Sequence, residues 1–301
     1  MQSEAYQNLV NQGQQAEQAQ DVEEAILAYE QAYSEEQTFE VNQKLASLYL
    51  KHEQYEAAMQ LVREQTGAYF TADGQAQQIY LACCLAANVF IEARQLVAHN
   101  PELQDKIPEI EAAEAKYRTE QQATLKENQK AFYHLSDNPM GFQSQVIKAA
   151  MKLPLEEFMF SAKSILIDPF AHQLTRVSVL EELIKLQINE AVEMKNLIGE
   201  TEQVIPAEIL PFEQQPVVIE ILNRLEQSPL ASDPSQFIVL KQQFTLCLML
   251  LMPDFSAAIS DVQTWMEQTL KMFGMEFMTQ REETQAQQAW REQLSEALMA
   301  L

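Results

Sequence analysis

The 301-residue chain is 47% apolar and holds only 6 glycines and 11 prolines, which supplies a core and excludes general disorder and a turn-rich β architecture. Its 44 acidic side chains outnumber 20 basic ones, a net charge of −24. Such a surface repels phosphate backbones and anionic lipid, so neither nucleic acid nor a membrane is an expected partner.

The first elements are helical and they repeat. DVEEAILAY at 21–29 places Val22, Ala25, Ile26 and Tyr29 on one helix face. The pattern returns as QYEAAMQLV at 54–62 and more faintly as VFIEARQLV at 89–97, so Ala25, Ala58 and Ala93 stand 33 and 35 residues apart. Twelve residues before these alanines stand Gly13, Ala46 and Leu81, and four after them stand Tyr29, Val62 and Val97. Two antiparallel helices approach closely only where one presents little side chain, and a ring from the partner then fills the notch.

Phased pairs of this length resemble the tetratricopeptide repeat (TPR), a helix–turn–helix unit of about 34 residues. The family pattern is met by Leu9, Gly13, Ala16, Ala25, Tyr29 and Ala32 in the first unit. The second offers Leu45, Ala46, Tyr49, Ala58 and Val62, with Gln65 where the last alanine belongs. The third keeps Tyr80, Cys84, Ala93 and Val97, while Leu81 and Asn100 depart. The resemblance covers about residues 3–103 and implies an all-α fold, a TPR-like α-solenoid of antiparallel helix pairs, with about three units over residues 1–107.

In that family the first helix of each unit lines a concave groove. Carried over residue by residue, the partner-binding candidates are Gln7, Val10, Gln14, Gln43, Lys44, Ser47, Gln78 and Ala82. One branch of the family clamps C-terminal carboxylates with Lys, Asn and Arg. The matching positions here are Val10, Gln14, Lys44, Gln75 and Ile79; only Lys44 can serve, so no carboxylate clamp is expected. The groove is glutamine-rich, suited to an extended peptide through amide hydrogen bonds or to packing of the chain's own next helix.

Residues 108–135 are polar nearly all round, with Ile110 and Tyr117 as a thin apolar stripe, and read as one long connecting or capping helix. HLSDNPMG at 134–141 then marks a boundary. Residues 136–301 form a helical C-terminal domain with a β-hairpin near 191–205, closed by a turn with Gly199 first. Helices are expected at about 213–228, 233–252 and 254–273, followed by a final amphipathic one. The apolar run TLCLMLLM at 245–252 is far short of the ~20 residues that span a bilayer. In WMEQTLKMFGMEFM, Met266, Leu270, Phe273 and Phe277 form a stripe that Trp265, Met272 and Met275 widen. It is either core or an adaptable apolar partner surface with Met266, Met272, Phe273 and Phe277 as its candidates. LIDPFAHQLTRVSVLEEL at 166–183 makes the whole chain resemble uncharacterised TPR proteins of Gram-positive bacteria, which implies no enzymatic activity.

Motifs with chemistry are missing. His52, His99, His134 and His172 are isolated, and there is no phosphate loop, G-x-S-x-G or C-x-x-C. Acid pairs such as Glu23-Glu24 point to different sides of a helix. Cys83, Cys84 and Cys247 form no disulfide framework and read as small core residues in a reducing compartment. MQSEAYQNLV lacks the layout of a secretory signal. The expectation is a cytoplasmic, non-enzymatic protein-interaction or scaffold protein that takes protein or peptide partners, without cofactor or metal. The alternative is a co-chaperone or assembly factor, or a regulatory helical module controlling a separate enzyme.

Overall fold

A computed structural model describes residues 3–72, 74–275 and 282–301. Among them are seventeen α-helices and one two-stranded sheet, so the chain is mostly all-α. It divides into two compact units, Met1–Glu127 with Met151–Leu155, and Asn128–Ala150 with Glu156–Leu301.

The first unit runs through α1 (Glu4–Gln18), α2 (Val22–Glu35), α3 (Phe39–Lys51), α4 (Tyr55–Arg63), α5 (Thr66–Thr71), α6 (Gly74–Ala86), α7 (Phe90–His99) and α8 (Ile107–Glu120). Short polar side chains start the early helices: Ser3, Asp21 and Thr38 accept from the backbone N–H groups of Tyr6, Glu24 and Val41. Helix α1 packs on α2, α2 on α3, α3 on α4, and α6 on α3, α4 and α7. Ala25, Ala58 and Ala93 are fully buried, as are Tyr29 and Val62.

The tightest approach lies between α1 and α2. A Cβ built on Gly13 would sit 2.6–2.8 Å from three atoms of the Tyr29 ring, closer than real Cβ contacts permit. The ring is itself fully buried and has nowhere to retreat.

The turns inside the three pairs share one backbone path. Gln20, Glu53 and Asn88 have φ of 61°, 58° and 57°. The residue after each donates to a carbonyl five back, Asp21 to Ala16, Gln54 to Tyr49 and Val89 to Cys84, at 2.9, 2.8 and 2.8 Å. This is a left-handed helix end that satisfies an orphan carbonyl, built three times in this unit without glycine and once more in the second unit at Gln187 (φ 52°), where Ile188 N donates to Leu183 O.

The second pair departs from the others. Helix α4 ends at Arg63, and the short α5, which the sequence did not announce, follows it. Gln65 therefore lies between helices rather than in a helix notch. Its Nε2 donates to the Tyr33 hydroxyl (3.0 Å) and the Gln37 carbonyl (3.1 Å). Tyr69 of α5 enters the core, and its hydroxyl donates to Asn42 Oδ1 at 2.7 Å. Asn42 Nδ2 donates in turn to Leu61 O (2.9 Å) and the Tyr33 hydroxyl (3.0 Å). Every polar group of this fully buried amide is thus matched.

Past α7, Glu114 of α8 is buried, and Arg94 holds it through two bonds of 2.7 and 2.8 Å. The same carboxylate accepts from Leu155 N (3.2 Å), and Ile91 N donates to Met151 O (3.1 Å). These bonds place Met151–Leu155 in the first unit.

The stretch at 108–135 is two helices rather than one. Helix α8 stops at Glu120, Gln121 leaves helical geometry (φ −121°, ψ 34°), and α9 (Gln122–Tyr133) begins. At 100° per residue the Ile110–Tyr117 stripe and the Leu125–Phe132 stripe would lie roughly 60° apart on a continuous helix. The break lets each meet its own neighbours, and Phe132 stacks on Phe158 at 4.9 Å.

In the second unit α10 (Met140–Ala150), α11 (Leu155–Ile167) and α12 (Gln173–Lys185) precede the sheet. Strands β1 (Val192–Lys195) and β2 (Thr201–Val204) pair antiparallel, Val192 opposite Val204. Gly199 (φ 82°) closes the three-residue loop instead of opening it: Gly199 N donates to Asn196 O, and Asn196 N to Glu200 O. A type I turn followed by a left-handed glycine suits hairpin twist as well as a glycine-first turn does, so Ile198 belongs to the loop.

Beyond the sheet come α13 (Pro216–Glu226), α14 (Pro234–Leu250), α15 (Phe255–Ala258), α16 (Val262–Met272) and α17 (Gln285–Met299). The stretch near 254–273 thus splits in two, because Asp261 caps a new helix by accepting from Thr264 N at 2.8 Å. Helix α14 packs on α12, α13 and α17 and buries Phe244, Cys247, Leu248 and Leu250. The start of α12 ties this unit together. His172 Nδ1 accepts from Leu174 N, so its Nε2 carries the proton and donates to Ala297 O at 3.0 Å. Gln173 donates to Met252 O (3.0 Å), and Thr175 to Gln143 Oε1 (2.7 Å).

Two predictions follow from the first unit. Gly13→Ala overpacks the Tyr29 site, and the chain loses about 1–3 kcal/mol, read by urea unfolding, although Gly→Ala in an open helix is favourable. Gln20→Gly and Glu53→Gly each raise stability by about 1 kcal/mol by relieving a left-handed residue. Asn88→Gly gains less in the same assay, since Asn tolerates that conformation.

Candidate binding face of the repeated helices

The groove candidates fall on three helices: Gln7, Val10 and Gln14 on α1, Gln43, Lys44 and Ser47 on α3, and Gln78 and Ala82 on α6. None of the eight is buried, and Gln7, Gln78 and Ala82 are exposed. The opposite side of each helix carries its buried residues: Tyr6, Gly13 and Ala16 on α1, Val41, Leu45 and Leu48 on α3, Tyr80, Cys83 and Cys84 on α6. Helices α3 and α6 pack directly. Helices α1 and α3 meet through the Tyr6 and Thr38 hydroxyls at 2.7 Å.

Lys44, the one cation among the eight, is already engaged. Its Nζ lies 3.4 Å from Glu17 Oε2 and 5.5 Å from the centre of the Tyr29 ring. The Tyr29 hydroxyl donates to the same Glu17 oxygen at 2.7 Å. Burial, then the Glu17 hydrogen bond and the charges of Glu17 and Glu40, hold that phenol well above its usual range. A lysine shared between a carboxylate and a ring is a poor free anchor for an incoming carboxylate, which leaves the face to amides and small side chains.

The apolar stripe of the second unit is placed differently. Met266 is buried in α16, so it belongs to the core and not to an apolar partner surface. Trp265 beside it is also buried and meets Phe244 edge-on at 5.8 Å. Met272 and Phe273 are half-buried, and the Phe273 ring lies 6.3 Å from Phe244. The reason is geometric: α14 brings Phe244 against α16, and the rings of both helices close over it. Gly274 (φ 78°) ends α16, with Met275 N donating back to Leu270 O at 3.0 Å. Phe277 lies outside the described residues.

The cysteines carry no reactivity of their own. Cys83, Cys84 and Cys247 are free and buried. Burial pushes Cys83 and Cys247 up to about 12, and Cys84 well above its normal range. Among the described residues, no group of three or more His, Cys, Asp or Glu side chains gathers to hold a metal ion, and no helix is long and apolar enough to cross a membrane.

The feature that sequence reasoning missed is the left-handed turn residue repeated at 20, 53 and 88. It was available in principle, five residues before each anchor alanine, but Gln, Glu and Asn do not announce a positive φ as glycine does.

Because thiolate is the reacting form, native chain at pH 8 is expected to leave all three thiols unmodified by a disulfide reagent, with three equivalents reacting once denaturant is added. Rapid stoichiometric labelling of the folded chain at any one thiol would contradict this.

In comparison with known proteins, no family model, no curated protein and no solved structure matches the chain.

Proposed function

We propose that the first unit is a tetratricopeptide-like array that binds an extended segment of a protein partner along α1, α3 and α6, and that its role is non-catalytic. The observation that carries this reading is the threefold turn. Three helix pairs share one backbone path at 20, 53 and 88, and in each pair the first helix keeps an accessible face. Repeated pairs in one register present equivalent positions at regular steps, the geometry that suits an extended ligand.

The accessible positions are amide-rich: Gln7, Gln14, Gln43 and Gln78. Amides both donate and accept, so they match the alternating N–H and C=O groups of an extended backbone. With Lys44 held by Glu17, recognition rests on these hydrogen bonds and on shallow contacts at Val10, Ser47 and Ala82. The buried, unpaired thiols and the acidic surface support a reducing, cytoplasmic setting.

The test uses the full chain as bait for a displayed library of random peptides. Selected peptides should bind the triple variant Gln14→Ala, Gln43→Ala, Gln78→Ala roughly 10- to 2,000-fold more weakly, from about 0.5–1.5 kcal/mol per lost hydrogen bond. Unaltered unfolding midpoints show that the variant is intact. Peptides that bind wild type and variant equally well place recognition elsewhere and refute the groove.

A further inference from the structure

The inward face of the hairpin holds an acid where a strand pattern calls for an apolar side chain. Val192 and Val204 face each other in the ladder, Met194 faces Glu202, and Val192, Met194 and Val204 are buried. Glu202 therefore shares the apolar side of the sheet, while its neighbours Thr201 and Gln203 are exposed. Its carboxyl meets the carboxyl of Asp254, the residue preceding α15. Asp254 stands at the helix cap, yet its side chain makes no cap bond.

Glu202 Oε1 and Asp254 Oδ2 are both shut off from solvent, and among the described residues no donor reaches either atom. Glu202 and Asp254 are half-buried, with one oxygen of each shut off from water. Carboxylate oxygens only accept, so two carboxyls within hydrogen-bond reach of each other are matched only when one carries a proton. The groups acting on the pair come from the hairpin loop. Glu200 adds a further negative charge, and the Asn196 amide hydrogen-bonds Asp254. Among the described residues, no lysine or arginine acts on either carboxyl.

We propose that Glu202 and Asp254 share one proton and form a pH-operated latch that fastens the β-hairpin to the start of α15. With one proton the pair carries a single charge and a hydrogen bond. With none, two negative charges face each other beside Glu200, and the hairpin is pushed from its seat.

Burial first, then the hydrogen bond and charge of Asp254 and the charge of Glu200, push Glu202 up to about 7. Burial raises Asp254 as well, partly offset by the hydrogen bonds of Glu202 and Asn196. For an acid raised in the folded chain, the stabilisation is complete below its ordinary value of 4.5 and is lost as pH rises through about 7. The latch is thus closed in mild acid and released on the alkaline side of neutrality.

The experiment follows the full-length protein by carbon NMR of labelled glutamate carboxyls and by amide-exchange protection of β1 and β2. One glutamate is expected to titrate near neutrality in wild type, and its signal is absent in Glu202→Gln. Protection of the hairpin amides falls between pH 5.5 and pH 8.5 in wild type and stays level in Glu202→Gln, whose amide donates to Asp254 throughout. Glu200→Gln lowers the midpoint and keeps the step. Titration of Glu202 near 4.5 overturns the proposal, as does hairpin protection with the same pH dependence in wild type and Glu202→Gln. The titration in wild type decides the matter even if a variant folds poorly.

Discussion

The first unit depends on how closely α1 and α2 approach, and that distance is set by one side chain filling the absence of another. Tyr29 occupies the space that any Cβ at Gly13 would claim. The aligned positions of the later pairs carry Ala46 with Val62 and Leu81 with Val97, so the ring-in-notch fit belongs to the first pair. The buried ring also delivers its hydroxyl to Glu17, and Glu17 in turn holds Lys44. A packing constraint in the core thereby engages the lysine of the outer face and limits the chemistry left for a ligand.

Regularity is broken where polar groups take over from notches. In the second pair the helix stops early, Gln65 falls between elements, and α5 brings Tyr69 to the buried Asn42. A buried amide with all its partners specifies one arrangement, since any shift leaves a donor or acceptor unpaired at a cost of roughly 1–3 kcal/mol. Glu114 plays the same part further along. Its carboxylate is matched by the Arg94 fork and by Leu155 N–H, which anchors Met151–Leu155 to helices distant in sequence.

The second unit is organised around α14, which packs on α12, α13 and α17. Its polar anchors cluster at the start of α12, where His172 and Gln173 cap main-chain carbonyls of Ala297 and Met252. The hairpin carries buried carboxyl oxygens of Glu202 and Asp254 that lack a donor among the described residues, so its seat varies with protonation.

Local pattern was enough to determine helical content, the phase of the three pairs, the buried anchors Ala25, Ala58 and Ala93, and the presence of a hairpin. Each follows from side-chain size and spacing along one segment. The accessible face of α1, α3 and α6 was also legible, because a helix that buries one side must present the other. Tertiary structure alone decided the rest. The break at Gln121 arises because two stripes meet different neighbours, Met266 is core because its part of α16 is buried, and Lys44 is spent on Glu17 and Tyr29. The facing of Glu202 and Asp254, 52 positions apart in the chain, is of the same kind: contact across such a separation is a property of packing, and no local period encodes it.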